Sequence, residues 1–206
     1  MNIWVAAPSG NRLSVASEMI KVWRAYDVKT AIISWDERTR EASPDYFKLV
    51  NKRFSWGINQ NLLMDSLPPD WDACIAACDD HFPLKGIDLI EKAIARFSDC
   101  VICPNEGHLA LCFPIITKGW YAKHRPIFDE KYLHNCVDYD VCQQAAKEHK
   151  LINCPQIEFE HRSIEPFGYV NTAHDSTNFA IDRKYYEKKW VGRPYSPAFS
   201  LCVKDL

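Results

Sequence analysis

Apolar positions change period along the chain, and each change marks an element. Ile3 to Ala7 is a short apolar run, the pattern of a strand buried on both faces, and Pro8-Ser9-Gly10-Asn11 breaks it. Arg12 to Tyr26 places Leu13, Val15, Ala16, Met19, Ile20 and Trp23 at helical spacing. Val28 to Ser34 is apolar and extended again, ending at Trp35-Asp36-Glu37. Strand, helix and strand in that order predict a parallel crossover unit. A short helix is expected within Glu41 to Arg53, with Pro44 at its first position. A second is expected over Ser55 to Leu67, with Ile58, Leu62 and Leu63 inward and Pro68-Pro69 as its stop.

Ala73 to Cys78 reads as a buried strand that ends abruptly in Asp79-Asp80-His81. Leu84 to Phe97 follows as an amphipathic helix and Asp99 to Cys103 as a strand. Leu109 to Ile116 is expected to be extended, Thr117 to His124 helical and Tyr139 to His149 a helix beginning beside Asp138. Ile157 to Glu160 is a short strand ending at His161. Asp175 to Lys189 reads as a helix with Asp175 as N-cap, an apolar stripe of Phe179, Ile181 and Tyr185, and Gly192 beyond its end. With no repeat and no linker, residues 1–206 read as a single domain.

Composition narrows the class without changing this picture. A net charge of -2 gives no global pull toward nucleic acid or anionic membrane. No apolar run approaches the roughly 20 residues needed to span a bilayer, and the N-terminus enters a strand directly, so a cytoplasmic protein is expected. Nine cysteines, an odd number at irregular spacing, do not form a secreted disulfide framework. Cys74, Cys78, Cys100 and Cys103 flank apolar residues and read as buried structural thiols rather than zinc ligands.

Three polar clusters follow predicted strands: Pro8-Ser9-Gly10-Asn11-Arg12, Trp35-Asp36-Glu37-Arg38 and Asp79-Asp80-His81. In a parallel sheet they fall on one edge and line one cleft, the place where open α/β sheets bind ligands. Neither G-x-G-x-x-G nor G-x-x-x-x-G-K-[ST] occurs, which argues against dinucleotide oxidoreductases and P-loop enzymes. Without a glycine-rich phosphate cradle, a diphosphate needs a metal to neutralise it. Carboxylates suit Mg²⁺ or Mn²⁺, and an imidazole shifts the preference toward Mn²⁺.

Read together, these motifs resemble those of GT-A fold glycosyltransferases, most closely the family-2 nucleotide-diphospho-sugar transferases. Pro8, Asp36, Gly57 with Asn61, and Asp79-Asp80-His81 stand in the family's order. Phe128-Asp129-Glu130-Lys131-Tyr132 resembles its F-D-E-x-[FY] segment and Val137-Asp138-Tyr139-Asp140-Val141 its E-D-x-D-[LV] segment. Lys188-Lys189-Trp190-Val191-Gly192 is similar to a terminal K-W-G. The resemblance implies an α/β fold with a central, mostly parallel sheet flanked by helices. It also implies a metal-dependent, inverting transfer of a sugar from a nucleotide-diphosphate donor, by family default a UDP-sugar, to a hydroxyl acceptor. Pro8, Ser9, Asn11, Arg12, Asp36, Gly57, Asn61, Asp79 and Asp80 would then contact the donor. Asp79, His81 and His161 would hold Mn²⁺ or Mg²⁺, with His174 competing for the last place, and Asp138 would be the general base. Glycan, glycolipid and hydroxylated nucleic acid all fit as acceptors of such a hexosyl- or pentosyltransferase. Trp120, Tyr121 and Trp190 are candidate sugar platforms, and Lys118, Lys123, His124 and Arg125 a basic cluster. The rivals are a sugar-nucleotide pyrophosphorylase or nucleotidyltransferase and a non-catalytic module of the same fold.

Overall fold

The structure, a computed structural model, describes residues 1–105, 113–162, 174–191 and 201–202. In chain order its strands are β1 (Ile3–Pro8), β2 (Lys29–Ser34), β3 (Tyr46–Leu49), β4 (Ala73–Ala76), β5 (His81–Lys85), β6 (Val101–Asn105), β7 (Ile115–Thr117), β8 (Leu151–His161) and β9 (Leu201–Cys202). The helices are α1 (Leu13–Arg24), α2 (Trp56–Met64), α3 (Asp88–Arg96), α4 (Lys118–Lys123), α5 (Val137–Lys147) and α6 (His174–Lys189). All the strands join one sheet in the order β3-β2-β1-β4-β7-β6-β8-β5, with β9 beside β8. The β3-β2-β1-β4 half is parallel; β7 runs antiparallel between β4 and β6, and β5 runs antiparallel to β8.

Alternation along β1 shows why the sheet lies in the middle. Ile3, Val5 and Ala7 face a core with Met19, Ile20 and Trp23 of α1 and Ile90, Ala93 and Ile94 of α3. Trp4 and Ala6 face the opposite core, with Leu63 and Met64 of α2 and Val141, Cys142 and Ala145 of α5. Helices therefore cover both faces, and the central strands read as continuous apolar runs.

Three expectations are corrected. Within Glu41 to Arg53 the chain forms β3, preceded by a 3₁₀ turn over Glu37–Ala42, and not a helix. Ser43 leaves that turn in the left-handed region (φ 56°), and the Asp45 carboxylate accepts from the Thr30 amide and hydroxyl at 2.8 Å. These contacts feed the chain, extended, onto β2. The amphipathic segment after Asp80 also starts late: His81 to Lys85 pairs with β8, Leu84 is 56% exposed, and only Asp88 onward is helical. Pro83 is tolerated because β5 is an edge strand. Gly86, at φ +73° and with no room for a Cβ beside the Gln156 carbonyl, turns the chain into α3. Finally, Phe179 and Ile181 are about half exposed and leave the expected inward stripe of α6, whereas Tyr185 packs against the core as expected. Gly192 and the stretch 106–112 lie outside the described residues.

Candidate functional site

The sheet reverses direction of growth between β1 and β4. From β1 the chain builds outward through β2 and β3, then returns to place β4 on β1's other side, with Ala6 opposite Ala76. Ligands bind at such a switch point, beyond the carboxyl ends of the strands. The polar residues that follow these two strands meet there. Ser9 donates its hydroxyl to Asp79 Oδ2 at 2.6 Å. Arg12, at the entry to α1, spans both carboxylates, with Nη1 2.9 Å from Asp79 Oδ1 and Nη2 3.0 Å from Asp80 Oδ2. Asp79 and Asp80 are buried. Burial pushes Asp79 up to about 6, against the pull of Arg12 and Ser9. Burial also opposes ionisation of Asp80, yet His161, His81 and Arg12 together hold its carboxyl well below the usual range.

His81 and His161 face each other across the β5–β8 ladder. Their rings stack with centroids 4.4 Å apart and planes 17° from parallel. His161 Nε2 lies 3.2 Å from Asp80 Oδ1, and the Arg162 amide donates to the Asp80 carbonyl at 3.0 Å. The fully buried His81 accepts at Nδ1 from the Cys78 amide at 3.0 Å, while Trp23 donates its indole N–H to the His81 carbonyl at 2.9 Å. Phe113 covers the His81 ring at a centroid distance of 3.5 Å.

Ser9, Arg12, Asp79, Asp80, His81 and His161 are thus one contact network, with Pro8 and Asn11 in the same β1–α1 turn. Asp36 stands at the end of β2 on the same sheet edge, where its Oδ1 accepts from the Arg38 amide. Gly10 packs its backbone directly against the Trp35 indole, leaving no space for a side chain. Asn61 is buried and clamps the Phe128 backbone, donating to its carbonyl at 2.8 Å and accepting from its amide at 3.0 Å. Gly57 lets α2 approach α5: a Cβ there would stand 3.1 Å from Val137 Cγ2.

Asp138 lies in the first turn of α5 and accepts from the Tyr139 amide at 2.9 Å. Its link to the strand ends runs through neighbours. Val137 abuts Gly57, and the indole N–H of the adjacent Trp56 donates to the Ala77 carbonyl at 3.3 Å. The segments resembling D-x-D-[LV] and K-W-G also meet each other. Asp140, buried, accepts from Tyr132 at 3.1 Å, Lys189 at 2.8 Å and the Trp190 indole at 2.7 Å. A hollow of about 350 Å³ beside them is lined by Asp129, Glu130, Asp140, Gln144 and Lys189, and none of the strand-end residues borders it.

Some candidates turn out to be structural. Trp120 is 1% exposed and stacks on His124, and Tyr121 is buried, so neither presents a platform. Lys123 pairs with Asp99, Arg125 with Asp65 and His124 with Glu148, while Lys118 donates to the Pro69 carbonyl. Nothing is described of the His174 side chain. Sequence reading passed over Gln60, whose buried amide donates to the carbonyls of both Ala6 and Ala77 and ties α2 to the two strands that make the site. It also passed over Asp182, the one fully buried side chain among the described residues of α6.

Strand order and the placement of the helices give the chain a GT-A-like α/β fold. No protein-family model and no curated protein sequence matches the chain. Among solved structures, S. aureus TarS superposes with a TM-score of 0.64 at 8% identity, over 96% of this chain and 41% of that one. A putative glucose-1-phosphate thymidylyltransferase from Bacillus anthracis, in complex with sucrose, gives 0.56 at 7% identity over 88% and 95%. The catalytic domain of Drosophila β1,4-galactosyltransferase 7, in complex with xylobiose, gives 0.50 at 11% over 80% and 66%. The chain spans about two-fifths of the TarS chain and about two-thirds of the galactosyltransferase chain. At these identities the likeness is one of fold. Among the described residues no helix is long and apolar enough to cross a membrane.

Proposed function

We propose that the protein is a glycosyltransferase that moves a sugar from a nucleoside-diphosphate donor, a UDP-sugar by expectation, to a hydroxyl acceptor with inversion. One observation carries the reading. The two strands that flank the switch point deliver Ser9 and Arg12 from one side and Asp79 and Asp80 from the other into a single buried charge cluster. Arg12 is the group suited to meet a diphosphate, because its planar fork matches phosphate oxygens in pairs. Asp36, at the neighbouring strand end, is placed to accept from a base or ribose. Asp138 is the residue assigned to take the acceptor's proton as its oxygen attacks the anomeric carbon.

The residues present fit a divalent cation, Mn²⁺ or Mg²⁺ in the expectation above. Asp80 Oδ1 is buried, with His161 Nε2 3.2 Å away. Cys78, Asp80 and His81 also offer donor atoms within 4.8 Å of one another. Asp79 has both oxygens committed to Ser9 and Arg12, whereas Asp80 gives only Oδ2 to Arg12, which makes Asp80 Oδ1 the oxygen better placed to ligate. Such an ion would stabilise charge on the departing diphosphate. Glycans, glycolipids and hydroxylated nucleic acid remain the acceptor classes proposed.

The test is release of nucleoside diphosphate from a panel of nucleotide-sugars, with and without added divalent ion. Metal-stimulated release that Asp79→Ala abolishes supports the transferase. Consumption of added pyrophosphate, with formation of a nucleoside triphosphate and a sugar 1-phosphate, identifies a pyrophosphorylase instead. Absence of donor binding well above ordinary Michaelis constants, about 1 μM–1 mM, removes both enzyme readings.

A further inference from the structure

Four consecutive residues after β4 carry a thiol, two carboxylates and an imidazole, and they divide into two sets. Asp79 turns to Ser9 and Arg12. Cys78, Asp80 and His81 bring a sulfur, an oxygen and a nitrogen within 4.8 Å of one another, while Asp80 Oδ2 also meets Arg12. Cys78 is half-buried, and burial together with the Asp80 and Asp79 carboxylates pushes its thiol well up, against the weaker pull of Trp56 and Arg12, so the cation itself must stabilise the thiolate. Its backbone takes part as well, because the Cys78 amide is the donor to His81 Nδ1. The neutral ring therefore carries its proton on Nε2, and a cation ligated at Nδ1 takes the lone pair that the amide now uses.

We propose that Cys78, Asp80 and His81 form a mixed sulfur–oxygen–nitrogen cation site that takes a borderline divalent ion, Zn²⁺ or Co²⁺, in preference to Mg²⁺. The inference deepens the transferase reading, on which it rests for the role of the ion at the donor diphosphate. Thiolate and imidazole select borderline ions, whereas Mg²⁺ demands near-octahedral oxygen ligation and keeps its waters. An all-carboxylate strand end lacks that bias; here a cysteine precedes and a histidine follows the ligating aspartate. On binding, the Cys78 S–H bond breaks, its proton goes to solvent and a sulfur–cation bond forms, with no change of oxidation state.

Titrating the metal-stripped full chain with Co²⁺ tests this by absorption. The expected result is a near-ultraviolet thiolate-to-cobalt charge-transfer band that Zn²⁺ removes in competition and a tenfold larger addition of Mg²⁺ does not. Cys78→Ser, with unchanged circular dichroism, loses the band and weakens Co²⁺ binding on the order of tenfold or more. Cys78→Ala serves where the serine variant does not fold. A band that persists in these variants, or wild-type Co²⁺ binding without a thiolate band, overturns the site. So does the absence of Co²⁺ binding, or displacement of Co²⁺ by equimolar Mg²⁺. Binding of a nucleotide-sugar to the same samples separates the two readings. Donor binding without the band leaves the transferase and removes the thiolate site; the band without donor binding does the reverse.

Discussion

Removing the Asp182 carboxylate is the most informative single perturbation of the frame that holds Asp138. Asp182 lies on α6, is 1% exposed, and accepts from three consecutive amides, Leu133 at 2.8 Å, His134 at 2.8 Å and Asn135 at 2.7 Å. Those amides form the turn that leads through Cys136, itself in the left-handed region at φ 61°, into the first turn of α5 and Asp138. A hydrogen bond to a charged acceptor contributes about 1.5–3 kcal/mol, so three sum to several kcal/mol gross. The turn is only partly buried, and water reaches some of the freed amides. We therefore expect Asp182→Ala to cost about 3 kcal/mol. Asp182→Asn keeps the shape but turns one acceptor oxygen into a donor, and about 2 kcal/mol is expected. For a chain of 206 residues, each kcal/mol moves the melting temperature by about 2–4 °C, so the alanine variant should melt about 6–12 °C lower. Urea unfolding followed by circular dichroism measures the same quantity independently. A loss below about 1 kcal/mol would show that the three short contacts do not hold the turn. If the turn does set Asp138, Asp182→Asn also lowers kcat while leaving donor KM nearly unchanged.

Other consequences are more local. Asn61→Ala strands the Phe128 amide and carbonyl in the core and should cost about 2–3 kcal/mol, measured by urea unfolding, with no compensating change in m-value. Arg12→Met leaves Asp79 and Asp80 side by side without their guanidinium; donor affinity in calorimetry should fall at least about tenfold, and unchanged affinity would remove Arg12 from the diphosphate site. Burial works to raise the Asp45 carboxyl, but the contacts from Arg24 and Thr30 outweigh it and hold the group below its ordinary value. That stabilisation is therefore present above pH ~4 and is lost as pH falls through the depressed folded value. Screened as the pair is, it amounts to no more than about 1 kcal/mol, and Asp45→Asn should remove it at neutral pH, with the difference from wild type shrinking as the pH falls through the depressed folded value.

How much of this was legible in the sequence depends on the range of the interaction that fixes each element. Strands β1, β2 and β4 and helices α1 and α5 carry their period in their own residues, and each lies where that period places it. β3 does not, because Tyr46 to Leu49 is extended through Asp45's bonds to Thr30, fifteen residues away. β5 likewise depends on a partner, β8, more than seventy residues later in the chain. The same division runs through the site. That Ser9, Arg12, Asp79 and Asp80 share one sheet edge follows from two parallel strands and could be read directly. Which carboxylate faces which partner could not, because a shift of one residue at the end of a strand reverses the side on which a group emerges. Both carboxylates meet Arg12, but Asp79 emerges toward Ser9 and Asp80 toward His161 and the Cys78–His81 turn. His81 is a strand residue in the ladder, where it lies opposite His161. The pairing of β5 with β8, two elements whose partnership no local pattern announces, is therefore what brings the second imidazole to Asp80. Weakening that ladder should disturb the carboxylate's environment before it disturbs the fold.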